Sequence, residues 1–175
     1  MVSFIESVLI CWTIRIAVLL YLGRVWIEWN LDSDRQMSGQ CCRQVRLLWT
    51  IGYLFYIAHI VFAFSLVYRW SHASAFQYTA EQTAAATGVY WGGGLYLNYL
   101  LTLIWFVDIA GWWLIDIRFP YRSKIYFRLF HSFSAFMVFQ ATVVFGPVWW
   151  KCLVFFVAVT AVNVWYVRVR HGKTG

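Results

Sequence analysis

Residues 89–114, VYWGGGLYLNYLLTLIWFVDIAGWWL, contain a single charged side chain, Asp108. A helix needs about 20 mostly apolar residues to cross roughly 30 Å of hydrocarbon at 1.5 Å per residue, and this stretch exceeds that length. Its polar and bulky positions Gly94, Asn98, Leu101, Trp105, Asp108 and Trp112 recur at alternating spacings of four and three. That seven-residue seam stays on one helix face and packs against neighbouring helices. Asp108 therefore reads as an interior carboxylate in a bundle that lies in a membrane.

Four further runs of similar character flank this one, and the spacing predicts spans at 4–26, 47–69, 89–114, 128–146 and 148–167. The expected fold is all-α: a single domain over 1–175 built as an integral membrane bundle of five transmembrane helices. Composition agrees, since 62% hydrophobic and 12% charged residues with a mean hydropathy of +0.65 leave too little polar surface for a water-solvated domain. No internal repeat or low-complexity linker interrupts the chain. The short connections keep neighbouring helices antiparallel.

A net charge of +7 could indicate nucleic acid, but the positions of the basic residues point to membrane orientation instead. Arg24, Arg35, Arg43 and Arg46 fall around the first gap, Arg118, Arg122, Lys124 and Arg128 around the third, and Arg168, Arg170 and Lys173 in the tail. Only Arg69 and Lys151 fall in the alternate gaps, and Arg15 lies within the first span. The excess of basic residues on the cytoplasmic side places the N-terminus outside and the C-terminus in the cytoplasm. The expected location is the plasma membrane, or the inner membrane of a Gram-negative cell. No basic residue precedes the first apolar run and no small-x-small cleavage site follows it, so the first span reads as retained rather than as a signal peptide. Trp and Tyr cluster at the span ends, where amphipathic rings favour the headgroup level.

The stretch 71–87 is nearly uncharged and rich in Ala and Thr, with Ser71 or Ser74 as N-cap and Gly88 as a stop. It predicts a short surface helix on the outer side between spans 2 and 3. Gly88 and Gly92 form a small-xxx-small pair, which suits close helix packing, within the chain or in a homo-oligomer or with other membrane subunits. The run lacks the Lys and Ser or Thr of a phosphate loop.

An ionisable side chain within a span costs about 2.5–3.5 kcal/mol on insertion scales and calls for a partner. Arg15, His59, Asp108 and His131 qualify. Counted from the span midpoints, Asp108, His131 and Asn163 share the inner half, and Arg15 could reach inward to pair with Asp108. The sequence thus predicts an intramembrane polar cluster of Arg15, Asp108, His131 and Asn163. Its role is either a salt bridge tying helices together or a relay in which carboxyl and imidazole exchange protons.

Histidines in a bundle also raise haem b. His59 and His72 are thirteen residues apart, a rotation of about 220°, so they cannot serve as same-face ligands. A haem or quinone held through His59 or His131 is the redox alternative, while no cofactor and no metal is the primary expectation. His72, Glu81 and Glu6 share the outer side without a spacing that specifies a metal site. There is no H-E-x-x-H, Walker A, G-x-S-x-G or C-x-x-C. Cys41 and Cys42 are adjacent on the cytoplasmic side, where disulfides are uncommon and acylation or redox chemistry is open to them. The resulting expectation is a non-enzymatic membrane component or small transporter-like protein.

Overall fold

The buried stripe of the first helix, Thr13, Ala17, Tyr21, Arg24 and Glu28, recurs every three or four residues, which makes it one face of a continuous helix. That helix, α1, spans Phe4–Asn30 in a computed structural model that describes residues 4–30, 39–116 and 123–171, with the side chains of 29, 30, 39, 124 and 161–171 outside the description. It packs along α2, Gly39–Phe62. Six further helical elements follow among the described residues: a π-helical turn at Ala63–Val67, α3 at His72–Thr87, α4 at Gly94–Leu114, α5 at Lys124–Phe139 running into a second π-helical turn at Gln140–Val144, and α6 at Val148–His171. No strand occurs among the described residues.

Four helical stretches are long and apolar enough to cross a membrane: Phe4–Glu28, Gln40–Val67, Gly94–Leu114 and Ile125–Val144. The described apolar part of α6, Val148–Thr160, is shorter. Large apolar side chains cover the outside of these helices, among them Leu54, Leu103, Phe106, Leu129 and Phe155. The interior is aromatic rather than aliphatic. Trp49 stacks on Trp105 with centroids 4.2 Å apart, Tyr56 stacks on Trp105 at 5.4 Å, and Phe130 meets Trp49 edge-on at 5.7 Å. Offset and edge-to-face pairs of this kind add about 0.5–1.5 kcal/mol each beyond burial.

Helix ends follow local chemistry. Ser71 caps α3 by accepting a hydrogen bond from Ser74 N at 3.2 Å, and Gly88, with φ of 80°, closes it in the left-handed region. Between α2 and α3 the chain turns through Arg69 and Trp70, both non-glycine residues at positive φ, a conformation that crowds Cβ against the backbone. Gly146 and Pro147 separate the second π-helical turn from α6. A Cβ at Gly146 would come within 2.2 Å of the Thr142 carbonyl oxygen, so only glycine fits that corner.

The glycines at 88 and 92 lie at the junction of α3 and α4. Both precede α4, whose first residue is Gly94, so they do not form a ridge on a spanning helix. Gly88 closes α3, and Gly92 lies against the Phe76 ring, where a Cβ would sit 2.7 Å away. The close approach at Gly92 joins α3 to the start of α4 within one chain. Phe76, His72, Tyr96 and Tyr99 extend this contact as an aromatic cluster.

Candidate functional site

Asp108 is 1% exposed, and its carboxylate draws partners from three other helices. Trp49 Nε1 on α2 donates to Oδ2 at 2.8 Å, and the Tyr126 hydroxyl on α5 donates to Oδ1 at 2.6 Å. Arg24 on α1 brings Nη1 to 3.6 Å from Oδ2. Both carboxylate oxygens are therefore satisfied without water, the condition under which a buried charge is tolerable.

Arg24 faces a second acid. Its Nε donates to Glu28 Oε1 at 3.0 Å, one helical turn further along α1. The guanidinium lies against two indoles, with its central carbon 4.3 Å from the Trp49 ring centroid and 5.0 Å from that of Trp112. Flat aromatic walls suit a delocalised guanidinium, leaving its in-plane N–H groups for carboxylates. The other Glu28 oxygen, Oε2, lies 3.6 Å from His131 Nε2 on α5. That imidazole is held by a 4.2 Å ring contact with Phe127 and by Tyr21, whose hydroxyl donates to the His131 carbonyl at 3.3 Å. Buried His131 Nε2 has no hydrogen-bond partner.

The site is thus a chain running from Tyr126 through Asp108, Arg24 and Glu28 to His131. Two carboxylates meet one guanidinium and one imidazole, so protonation of His131 would place two cations against two anions. His131 Nε2 faces the Glu28 carboxylate oxygen at 3.6 Å, just beyond hydrogen-bond distance.

The predicted cluster is only partly assembled in this way. Asp108 and His131 belong to the same network, linked through Arg24 and Glu28. Arg15 does not reach Asp108: its guanidinium lies 4.6 Å from the Trp149 ring centroid, 5.5 Å from Trp12 and 5.8 Å from Trp150. The reason is helical phase, because nine residues separate Arg15 from Arg24, a rotation of about 900°, which puts them on opposite faces of α1. Asn163 lies outside the residues whose side chains are described. His59 ties α2 to α1, its Nδ1 2.9 Å from the Ile10 carbonyl. Arg24 and Glu28 were legible as an i,i+4 pair; ending the first span at 26 hid it, since α1 continues through both.

Beyond the ring pair Tyr21 and Trp49, a half-open cavity of about 50 Å³ lies among α1, α2, α4 and α5, walled by residues that include Ala17, Leu101, Met137 and Val138. Trp105 and Ser134 also line it, and buried Trp105 Nε1 and Ser134 Oγ lack hydrogen-bond partners. Ser134 stands apart from the helical threonines Thr13, Thr50, Thr102, Thr142 and Thr160, each of which bonds back to the carbonyl four residues earlier.

No family model, curated protein or solved structure matches the chain.

Proposed function

We propose that this chain is a non-enzymatic, multi-pass membrane protein of transporter-like design, in which the Arg24, Glu28, Asp108 and His131 network is both the tie between helices and a proton-accepting site. The observation that carries the reading is a chain of buried ionisable groups contributed by α1, α4 and α5 and closed by Trp49 of α2. Ionisable groups in membrane spans are costly, and they concentrate on ion and proton pathways. The free, buried Nε2 of His131, facing Glu28, is the position for an incoming proton.

In this reading α6 supplies the fifth span, α3 lies on the outer surface, the N-terminus is outside and the tail is cytoplasmic. Burial of Arg24 removes it from the loop charges, yet ten basic residues remain on the inner side against Arg69 and Lys151 on the outer, and the orientation is unchanged. The lipid bilayer is the principal partner.

The test is reconstitution into sealed vesicles with an imposed pH gradient and a trapped pH-sensitive dye. The expected result is faster decay with the wild-type protein than with empty vesicles, and loss of that acceleration in His131→Gln and Glu28→Gln variants that remain folded. Wild-type vesicles as tight as empty ones would refute the proton-site reading.

A further inference from the structure

Arg15 is the cation that the network leaves out. Among the described residues it makes no hydrogen bond and no ion pair; its guanidinium is held only by the three indoles of Trp12, Trp149 and Trp150. Indole faces satisfy the charge over the guanidinium plane but offer no acceptor to its five N–H donors. Arg24 shows the contrast, with two indoles against its guanidinium and carboxylates at its nitrogens.

The surroundings describe the missing acceptor. Trp150, 4% exposed, backs the site, while Trp12 and Trp149 are 48% and 52% exposed and open outward with Val148 and Phe145. Trp149 and Trp150 lie in the first turn of α6, directly after Pro147, where the chain has turned back on itself. The first turn of α6 is closed by Trp150 N and Lys151 N donating to the Pro147 carbonyl at 3.0 and 3.1 Å. Contact with Trp12, three residues earlier on α1, shows the Arg15 side chain directed toward the helix N-terminus, as side-chain geometry in helices favours. The guanidinium therefore sits at the level where α6 begins, beside apolar side chains that face outward. An acceptor there must be anionic, able to take two parallel N–H bonds, and attached to something apolar.

We infer that Arg15, walled by Trp12, Trp149 and Trp150, binds the phosphate group of a membrane phospholipid, with the acyl chains lying along the exposed apolar flank of α1 and α6. Arginine suits phosphate because its fork donates two parallel bonds, which lysine cannot reproduce. The inference rests on the proposed membrane embedding. It is independent of any proton transfer at His131.

The test uses full-length protein, delipidated in detergent and titrated by native mass spectrometry with phosphatidylglycerol, phosphatidylcholine, diacylglycerol and inorganic phosphate in separate arms. One phospholipid binds most tightly, and diacylglycerol, which lacks phosphate, binds at least about tenfold more weakly. Arg15→Gln lowers phosphatidylglycerol affinity to the diacylglycerol level, and Arg15→Lys restores only part of it. Equal binding of diacylglycerol, or an Arg15→Gln affinity within twofold of wild type, would overturn the site. Inorganic phosphate bound as tightly as the lipid would overturn the lipid as its source. Trp149→Ala, which leaves the charge in place, is the second variant and weakens phospholipid binding if Arg15→Gln does not fold. Failure of the membrane reading itself is separately visible, because alkaline carbonate would then release the chain from membranes before any lipid is added.

Discussion

Exchanging Arg24 and Arg15 in turn for methionine separates the two arginines of α1 by their energetic coupling to Asp108. Arg24 lies 3.0 Å from Glu28 and 3.6 Å from Asp108, with exposures of 1%, 5% and 1% for the three side chains. At an effective permittivity of 20 each contact corresponds to about 5 kcal/mol of Coulomb attraction, much of it offset by several kcal/mol of desolvation per ion. Removing one partner forfeits the attraction while the stranded carboxylates keep their desolvation cost, so Arg24→Met should destabilise by about 3–5 kcal/mol. Arg15 has no carboxylate to strand, and Arg15→Met should cost about 1 kcal/mol, through lost indole contacts. Each substitution is then combined with Asp108→Asn, and unfolding is followed by circular dichroism as sodium dodecyl sulfate is titrated into mixed micelles. The Arg24 and Asp108 pair should show a coupling of at least about 1 kcal/mol, and the Arg15 and Asp108 pair less than about 0.5 kcal/mol. Coupling of Asp108 to Arg15 rather than Arg24, or an Arg24→Met loss below 1 kcal/mol, would refute the assignment.

Three further outcomes follow from local geometry. Tyr126→Phe removes the hydroxyl that donates to Asp108 at 2.6 Å and should cost about 1.5–3 kcal/mol in the same unfolding titration, with no loss if the hydroxyl is dispensable. Ser134→Ala removes a buried hydroxyl without a partner and should leave stability unchanged or raise it by about 1 kcal/mol; a clear loss would mean that the hydroxyl is satisfied by a bound molecule in the cavity. Gly146→Ala places a Cβ 2.2 Å from the Thr142 carbonyl and should lower the melting temperature well beyond Gly88→Ala, whose cost is confined to its positive φ because nothing lies within 4 Å.

Periodicity was most informative where one helix face stays buried over several turns. The seam of α4 names Leu101, Trp105, Asp108 and Trp112 from spacing alone, and all four are buried. The capping residues of α3 were legible because Ser71 and Gly88 act through local backbone chemistry. For the candidate site, Asp108 and His131 stood out as charged or polar residues in apolar runs. Trp49 and Tyr126 did not, since a tryptophan near a span end reads equally well as an interfacial anchor. Its burial and its 2.8 Å bond to Asp108 distinguish Trp49 from an interfacial anchor.

By itself the sequence determined the helical class, the membrane-length apolar stretches and the inward face of α4, because hydrophobic length and period are properties of each segment alone. Tertiary structure decided which cation meets which anion. Arg15 and Arg24 occupy the same helix, and their different fates depend on where α1 ends, on the half-turn between their faces, and on what α2, α4, α5 and α6 bring to each side. Pairing across helices depends on relative rotation and depth of separate segments, and neither is written in the spacing within any one of them.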